Sequence, residues 1–328
     1  MNNPISGKNG FIQAVTGIIP PEGLGYCQCH EHLFIAKGKS FEINPSLCID
    51  DIDKTIREVE LYKQAGGNSI VDAQPVGCGR MAGCLLETSA RTGVNVIAST
   101  GFHKMIFYPD NHWIYIKDED FLTRLFVGEI ENGMYLDGDE TVPAKRTHAK
   151  AGIIKVALDC EGISGNYEKL FNAAANASLC TGAPIMCHVE KGSEAFCAIR
   201  FFLDKGVDAS SIILCHLDRA KFDMEYHREI AETGVYIEYD TIGRFKYHTD
   251  EQEIALIRRM VEYGFEGRML LGLDTTRERL KSYGGGVGLD YIKLVFIPKL
   301  VASGIAEEQI RLFMVENPSK ALSIKQTL

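Results

Sequence analysis

Eight short apolar, β-branched runs punctuate the chain, and stretches with helical periodicity lie between them. This alternation constrains the fold more than any other feature. The runs cover residues 24–33, 69–74, 95–101, 152–159, 184–189, 211–217, 235–240 and 269–274. Helical patterns include 51–65, 167–180 and 251–263, and the segments 288–302 and 306–328 complete the series. Asp50 and Asp51 can cap the first of these helices and Gly66-Gly67 can end it. Parallel strands need a crossover long enough for a helix, so strand–helix alternation favours a parallel sheet. Continuous apolar runs fit strands buried on both faces.

Eight βα units in unbroken order predict a closed (β/α)8 TIM-type barrel forming one domain over residues 1–328. A doubly wound open sheet is the rival arrangement, but it would not naturally use eight such units in sequence. The chain has 328 residues, enough for a barrel of about 250 with insertions. One long insertion, 102–151, separates the third and fourth strands; it holds a helical stretch near 118–132 and the single tryptophan, Trp113. Residues 12–19 predict a small hairpin before the barrel, ended by Pro20-Pro21.

Composition excludes several classes of function. The 35 basic and 44 acidic residues give a net charge of −9, which argues against nucleic acid as a partner. Apolar residues at 45% and charged residues at 24% are those of a globular protein with a large core. No apolar run approaches the roughly 20 residues needed to cross a bilayer, so no membrane association is expected. Residues 1–10 lack a signal-peptide pattern. The ten cysteines read as reduced thiols of a cytoplasmic enzyme.

Four of the nine histidines fall at the C-terminal ends of expected strands: His30 and His32 on the first, His188 on the fifth, His216 on the sixth. Asp274 closes the eighth strand and Lys155 lies within the fourth. Barrel enzymes carry their chemistry at this end. His30 and His32 are two apart and so share a face, taken as the barrel interior. By the same parity Cys27, Cys29 and Glu31 are expected to point toward the helices, as are Cys187 and Cys215. That makes the cysteines poor metal ligands despite the Cys-x-Cys spacing.

A single buried histidine is more often a hydrogen-bonded core residue than a ligand. Six such residues on five strands are a different matter. Four imidazoles and a carboxylate in one mouth suit a borderline metal such as zinc. A protonated lysine there would be repelled, so Lys155 must be neutral or chemically changed. Carboxylation by carbon dioxide would give a carbamate able to bridge two cations.

His30-Glu31-His32, Lys155 in Gly-Ile-Ile-Lys, His188, His216 and Asp274 together resemble the metal-site pattern of the phosphotriesterase-like branch of the amidohydrolase superfamily. Val315-Glu316-Asn317-Pro318 is also similar to that family, and the resemblance spans essentially the whole chain. It implies two divalent ions, Zn2+ or similar, in a distorted barrel. His30, His32, Lys155 and Asp274 would hold the more buried ion; His188, His216 and carboxylated Lys155 would hold the exposed one. It further implies metal-assisted hydrolysis with Asp274 as the proton-transferring group. Some relatives carry Arg or His directly after the aspartate that ends strand 7. Here Asp240 is followed by Thr241-Ile242-Gly243-Arg244, so a histidine relay is not expected there and Asp240 is expected to orient loop 7.

Loops 7 and 8 are basic against an acidic background: Arg244 and Lys246 follow the seventh strand, Arg277 and Lys281 the eighth. Tyr283 and Gly284-Gly285-Gly286 come next. A solvated loop explains Lys246 and Lys281 individually as well as function does. Taken together, these residues point to a small anionic substrate, with Arg244, Lys246, Arg277 and Tyr283 as its candidate contacts and Arg277 the strongest. The family hosts lactonases and phosphotriesterases, and a phosphorylated sugar lactone fits both halves of such a site. An acyl-homoserine lactone, another uncharged lactone or ester, or a phosphotriester is the alternative. His103, Lys104, Trp113 and Tyr115 could line the mouth or pack within the insertion. A homodimer is the common outcome for barrels of this kind.

Overall fold

The computed structural model describes residues 10–325; the first nine residues and the last three, which end the 306–328 segment, lie outside it. A two-stranded antiparallel hairpin, β1 (Ile12–Ala14) and β2 (Gly17–Ile19), precedes the barrel. Eight parallel strands follow: β3 (Cys27–Glu31), β4 (Ser69–Asp72), β5 (Asn95–Gly101), β6 (Ile153–Leu158), β7 (Ile185–Val189), β8 (Ile212–Cys215), β9 (Tyr236–Tyr239) and β10 (Met269–Leu271). Each pairs with the next in sequence order. Between the last and the first, His30 O accepts the N–H groups of Asp274 at 3.0 Å and Leu273 at 3.3 Å. The result is a nearly closed (β/α)8 barrel, as the alternation predicts.

The expected helices form close to their expected limits because local signals and burial agree. Helix Ile52–Gln64 starts where Asp51 Oδ1 accepts the Lys54 N–H at 3.1 Å, and Gly66 at φ 95° turns the chain after it. Helices Asn166–Thr181 and Asp250–Glu262 likewise match. In the C-terminal segment the helix ends at Ala321, and Ile324 pairs with Phe11. There β1, Leu24 and the C-terminal Ala321 and Leu322 join the interior residues of the barrel in one apolar cluster. The insertion between β5 and β6 contains helix Glu119–Glu131. Arg80 ties it to the barrel through a buried ion pair to Glu129 at 2.5 Å and a bond to Ser99 O at 2.9 Å.

The core divides into two. A large cluster lies between strands and helices, and a small one fills the barrel with Cys27, Cys29, Val71, Ile97, Ile153, Met186, Ile213, Cys215, Tyr236 and Leu270. Cys27, Cys29 and Cys215 therefore point into the barrel, against the parity expectation, whereas Cys187 does pack on the outer side. Two local irregularities account for the difference. In β3, Gln28 pairs with Ile70 but Glu31 with Asp72, so two residues face one and the strand bulges. This lets Cys29 and the following His30 share the interior. In β8 the regular alternation puts Cys215 inside, and His216 reaches the mouth through a left-handed backbone at φ 66°.

Close backbone approach fixes the strand ends at the mouth. A Cβ on Gly272 would stand 3.0 Å from His30 backbone atoms, at the β3–β10 seam. Gly101 ends β5 at φ 96°, where a Cβ would stand 1.9 Å from Lys155 O. Asn317, from the Val-Glu-Asn-Pro segment, donates to Glu266 O and Met269 O at 2.8 Å each, pinning the C-terminal helix to the start of β10. Strain and overlap at Gly101 each cost about 1–3 kcal/mol. Gly101→Ala should thus lower unfolding free energy by about 2–6 kcal/mol in a denaturant titration. A loss under 1 kcal/mol would contradict the close packing of β5 on Lys155.

Candidate metal centre and substrate cavity

A cavity of about 320 Å³ opens at the C-terminal ends of the strands. His30, His32, His188, His216 and Asp274 line it, and all five are buried. Lys155 is fully buried beneath them, with Nζ 3.2 Å from His30 Nε2. The six side chains expected to act together are thus together. Ring centroids lie 4.7 Å apart for His30 and His216, 4.4 Å for His188 and His216, and 5.8 Å for His30 and His32. His32 Nε2 is 3.4 Å from Asp274 Oδ1.

Backbone strain marks the same spot. Among the described residues only His216 (φ 66°) and Asp274 (φ 47°) are non-glycine residues with positive φ. Each follows the end of a strand and must leave the extended path to turn its side chain into the mouth. Such strain costs of order 1–3 kcal/mol per residue and persists where neighbours over-determine the geometry. Asp240 does so for His216. Its Oδ1 sits 2.6 Å from Nδ1 and its Oδ2 accepts the backbone N–H at 3.1 Å. Asp240 thus orients His216, whereas loop 7 is the partner expected from the sequence.

Electrostatics favour ligand-ready protonation states. Burial, the dominant cause, holds His30 and His216 well below the usual imidazole range, and Arg219 adds to it at His216. Burial likewise lowers His188 to about 4, against the opposing pull of Glu190. All three are neutral at pH 7 and offer a lone pair. Burial opposes the charge on Asp274, but Arg244 and Arg219 outweigh it and hold the carboxyl well below its usual range. Arg219 Nη1 is 3.0 Å from Asp274 Oδ2, and Arg244 donates to the same oxygen.

The donor set fits a divalent metal pair. Ligand atoms of His30, His216 and Asp274 lie within 4.8 Å of one another. Lys155 Nζ, buried at their centre, has no ion pair to a carboxylate among the described residues and faces an imidazole nitrogen instead. A buried ammonium in that position is costly, whereas a carbamate on the same nitrogen would turn it into an anionic ligand.

The substrate side departs from expectation. Arg244 and Lys246 line the cavity, and so do His103 and Lys104. Arg277 and Tyr283 are not among the lining residues. Arg277 turns to Cys48 O at 3.3 Å and Asp50 at 3.8 Å, and Tyr283 hydroxyl bonds Thr55 and Asp51. The loop before helix Ile52–Gln64 and the first turn of that helix supply those partners, which sequence distance from Asp274 could not reveal. Lys281 pairs with Asp290 at 2.6 Å. Trp113 and Tyr115 pack within the insertion, bonded to Gly138 O and Met105 O.

Sequence reasoning missed Arg219, Tyr247, Glu190 and Glu238. Arg219 stands three residues beyond His216, as Arg277 stands three beyond Asp274. Tyr247 is flanked by three cations, Arg219, Arg244 and Lys246, at 5.3, 5.3 and 4.9 Å. Glu190, two after His188, accepts from it at 3.2 Å and from Lys104 at 2.5 Å. Glu238, two before Asp240 on β9, sits 2.9 Å from His30 Nδ1. Strand parity alone would have found it.

The model of the phosphotriesterase family matches residues 10–322. The chain belongs to the phosphotriesterase family. It is 31% identical to a phospho-furanose lactonase of Mycoplasmopsis synoviae (strain 53), over 97% of this chain and 93% of that one. Its fold superposes on a lactonase from Listeria monocytogenes with a TM-score of 0.87 at 30% identity, covering 96% and 100% of the two chains. An Escherichia coli phosphotriesterase homology protein, solved with phosphate in its active site, gives 0.82 at 30% identity, covering 92% and 99%. This phosphotriesterase-family chain is accordingly a hydrolase of the lactonase and phosphotriesterase type. Among its described residues no helix is long and apolar enough to cross a membrane.

The lowered imidazoles carry a direct check. In metal-free protein, NMR should show His188 protonating near pH 4 and His30 and His216 titrating well below the usual imidazole range. A midpoint near 6.5 for any of them would contradict the buried, cation-flanked geometry.

Proposed function

We propose that this hydrolase opens a small anionic lactone, specifically a phosphorylated sugar lactone, at a binuclear metal centre. The observation that carries the reading is the charge around the cavity. Lys104, Arg219, Arg244 and Lys246 line it against only Glu190 and Asp274. Arg219 and Arg244 are held by Asp274 and Lys104 by Glu190, while Lys246 is exposed and has no carboxylate partner among the described residues. An uncharged lactone or a lipophilic phosphotriester would gain nothing from four converging cations. A phosphate would. The relative named phospho-furanose lactonase and the phosphate-bearing active site of the E. coli structure support the same choice.

His30, His32, His188, His216, Asp274 and carboxylated Lys155 would hold two divalent ions, most naturally zinc given the imidazole-rich set. Ions held there would supply Lewis acidity for the lactone carbonyl and bring the pKa of water toward neutrality. The chain's own part is positional. Asp274, kept anionic by Arg219 and Arg244, accepts the proton of the attacking water. It returns that proton to the ring oxygen as the carbonyl carbon–oxygen bond breaks, so lactone and water give one hydroxy acid. Lys246 and the two arginines at the mouth hold the phosphate, which sets the carbonyl over the histidines.

The test compares matched lactones with and without phosphate on metal-loaded enzyme. The phosphorylated member should be preferred in kcat/KM. Lys246→Met should raise KM for that substrate by about 10- to 100-fold, the loss of one charge-assisted contact of about 1.5–3 kcal/mol, with kcat little changed. Equal kcat/KM with and without phosphate would remove the anionic substrate from the account.

A further inference from the structure

We propose that Glu238 is a positioning residue of the metal centre, a buried carboxylate that fixes the tautomer and orientation of His30 and places negative charge behind it. Glu238 is fully buried on β9 with Oε2 2.9 Å from His30 Nδ1. In the proposed arrangement Nδ1 donates to Glu238, which leaves Nε2 its lone pair. That Nε2 is the atom facing Lys155 Nζ at 3.2 Å, on the metal side. Asp240, two residues on and just past the end of β9, treats His216 in the same way at 2.6 Å and also lies 3.3 Å from His30 Nδ1. One strand thus backs two imidazoles that belong to two other strands, β3 and β8.

Packing gives no other reason for a charge here. Glu238 lies among the interior residues of the barrel, and its ligand atom is within 4.8 Å of those of His30, Cys215 and Asp240. Its Oε1 is buried without any hydrogen-bond partner. No lysine or arginine forms an ion pair with it among the described residues. A carboxylate so placed is unfavourable unless a cation compensates it, and the compensating cation fits on the far side of His30. Carboxylates behind metal-bound histidines raise ligand basicity and typically account for 10- to 100-fold in metal affinity. The inference rests on the reading of His30 as a metal ligand.

Zinc titration of metal-free wild-type and Glu238→Gln chains, with thermal melts of the same metal-free samples, tests it. The nearly isosteric amide should weaken zinc binding at one of the two sites by at least tenfold. Metal-free Glu238→Gln should melt no lower than the wild type, because the nearly isosteric amide keeps the fit and leaves no ionisable group buried there. Weaker metal binding without lower metal-free stability is what a packing role would not produce. Unchanged zinc affinity overturns the proposal. So does a metal-free variant that melts lower or fails to fold, since Glu238 would then serve the barrel rather than the metal. Wild-type chain that takes up no zinc would overturn the metal centre itself, and that outcome is read independently of the variant.

Discussion

The seam between the first and last barrel strands governs the rest of the structure. His30 O accepts the N–H groups of Leu273 and Asp274, so the contact that brings β10 back to β3 is made by residues of the site itself. Any geometry that closes the barrel also sets His30, His32 and Asp274 side by side. Gly272 permits the approach, because a Cβ there would press on His30. Left-handed backbone at Asp274 then swings its carboxylate toward His32. Fold and site are therefore coupled: the barrel cannot slip register at this seam without dispersing the ligands.

Charge is organised around the same place. The chain as a whole is acidic, at −9, yet the cavity is lined by four cations and two carboxylates. Two arginines converge on one oxygen of Asp274, leaving Oδ1 toward His32. Beneath, Glu238 and Asp240 back the histidines from a single strand. The site is thus layered, with carboxylates below, imidazoles between and cations at the mouth. Such layering suits a positive centre at mid-depth and an anionic substrate above it.

The barrel was legible in the sequence because its signal repeats eight times and continuous apolar runs leave little choice of layer. Six candidate ligands were legible for a related reason: five stand at or near the end of a run, where barrel chemistry gathers, and the sixth, Lys155, is a lysine inside an apolar one. What could not be read was local. A one-residue bulge in β3 moved Cys27 and Cys29 into the barrel, since alternation has a period of two and one extra residue reverses it. Left-handed backbone at His216 let a residue of outward parity reach the mouth. Arg277 was misassigned because its partners, Cys48 O and Asp50, come from a loop more than 200 positions away in sequence. Glu190 and Glu238 were within reach of the same spacing logic that found Asp240.

A crystal of metal-reconstituted protein, measured across the zinc absorption edge, tests the central claim most directly. Two anomalous peaks should appear, one among His30, His32 and Asp274 and one beside His188 and His216, with extra density on Lys155 Nζ between them. A single peak, or two peaks flanking a bare Lys155 amine, would contradict it.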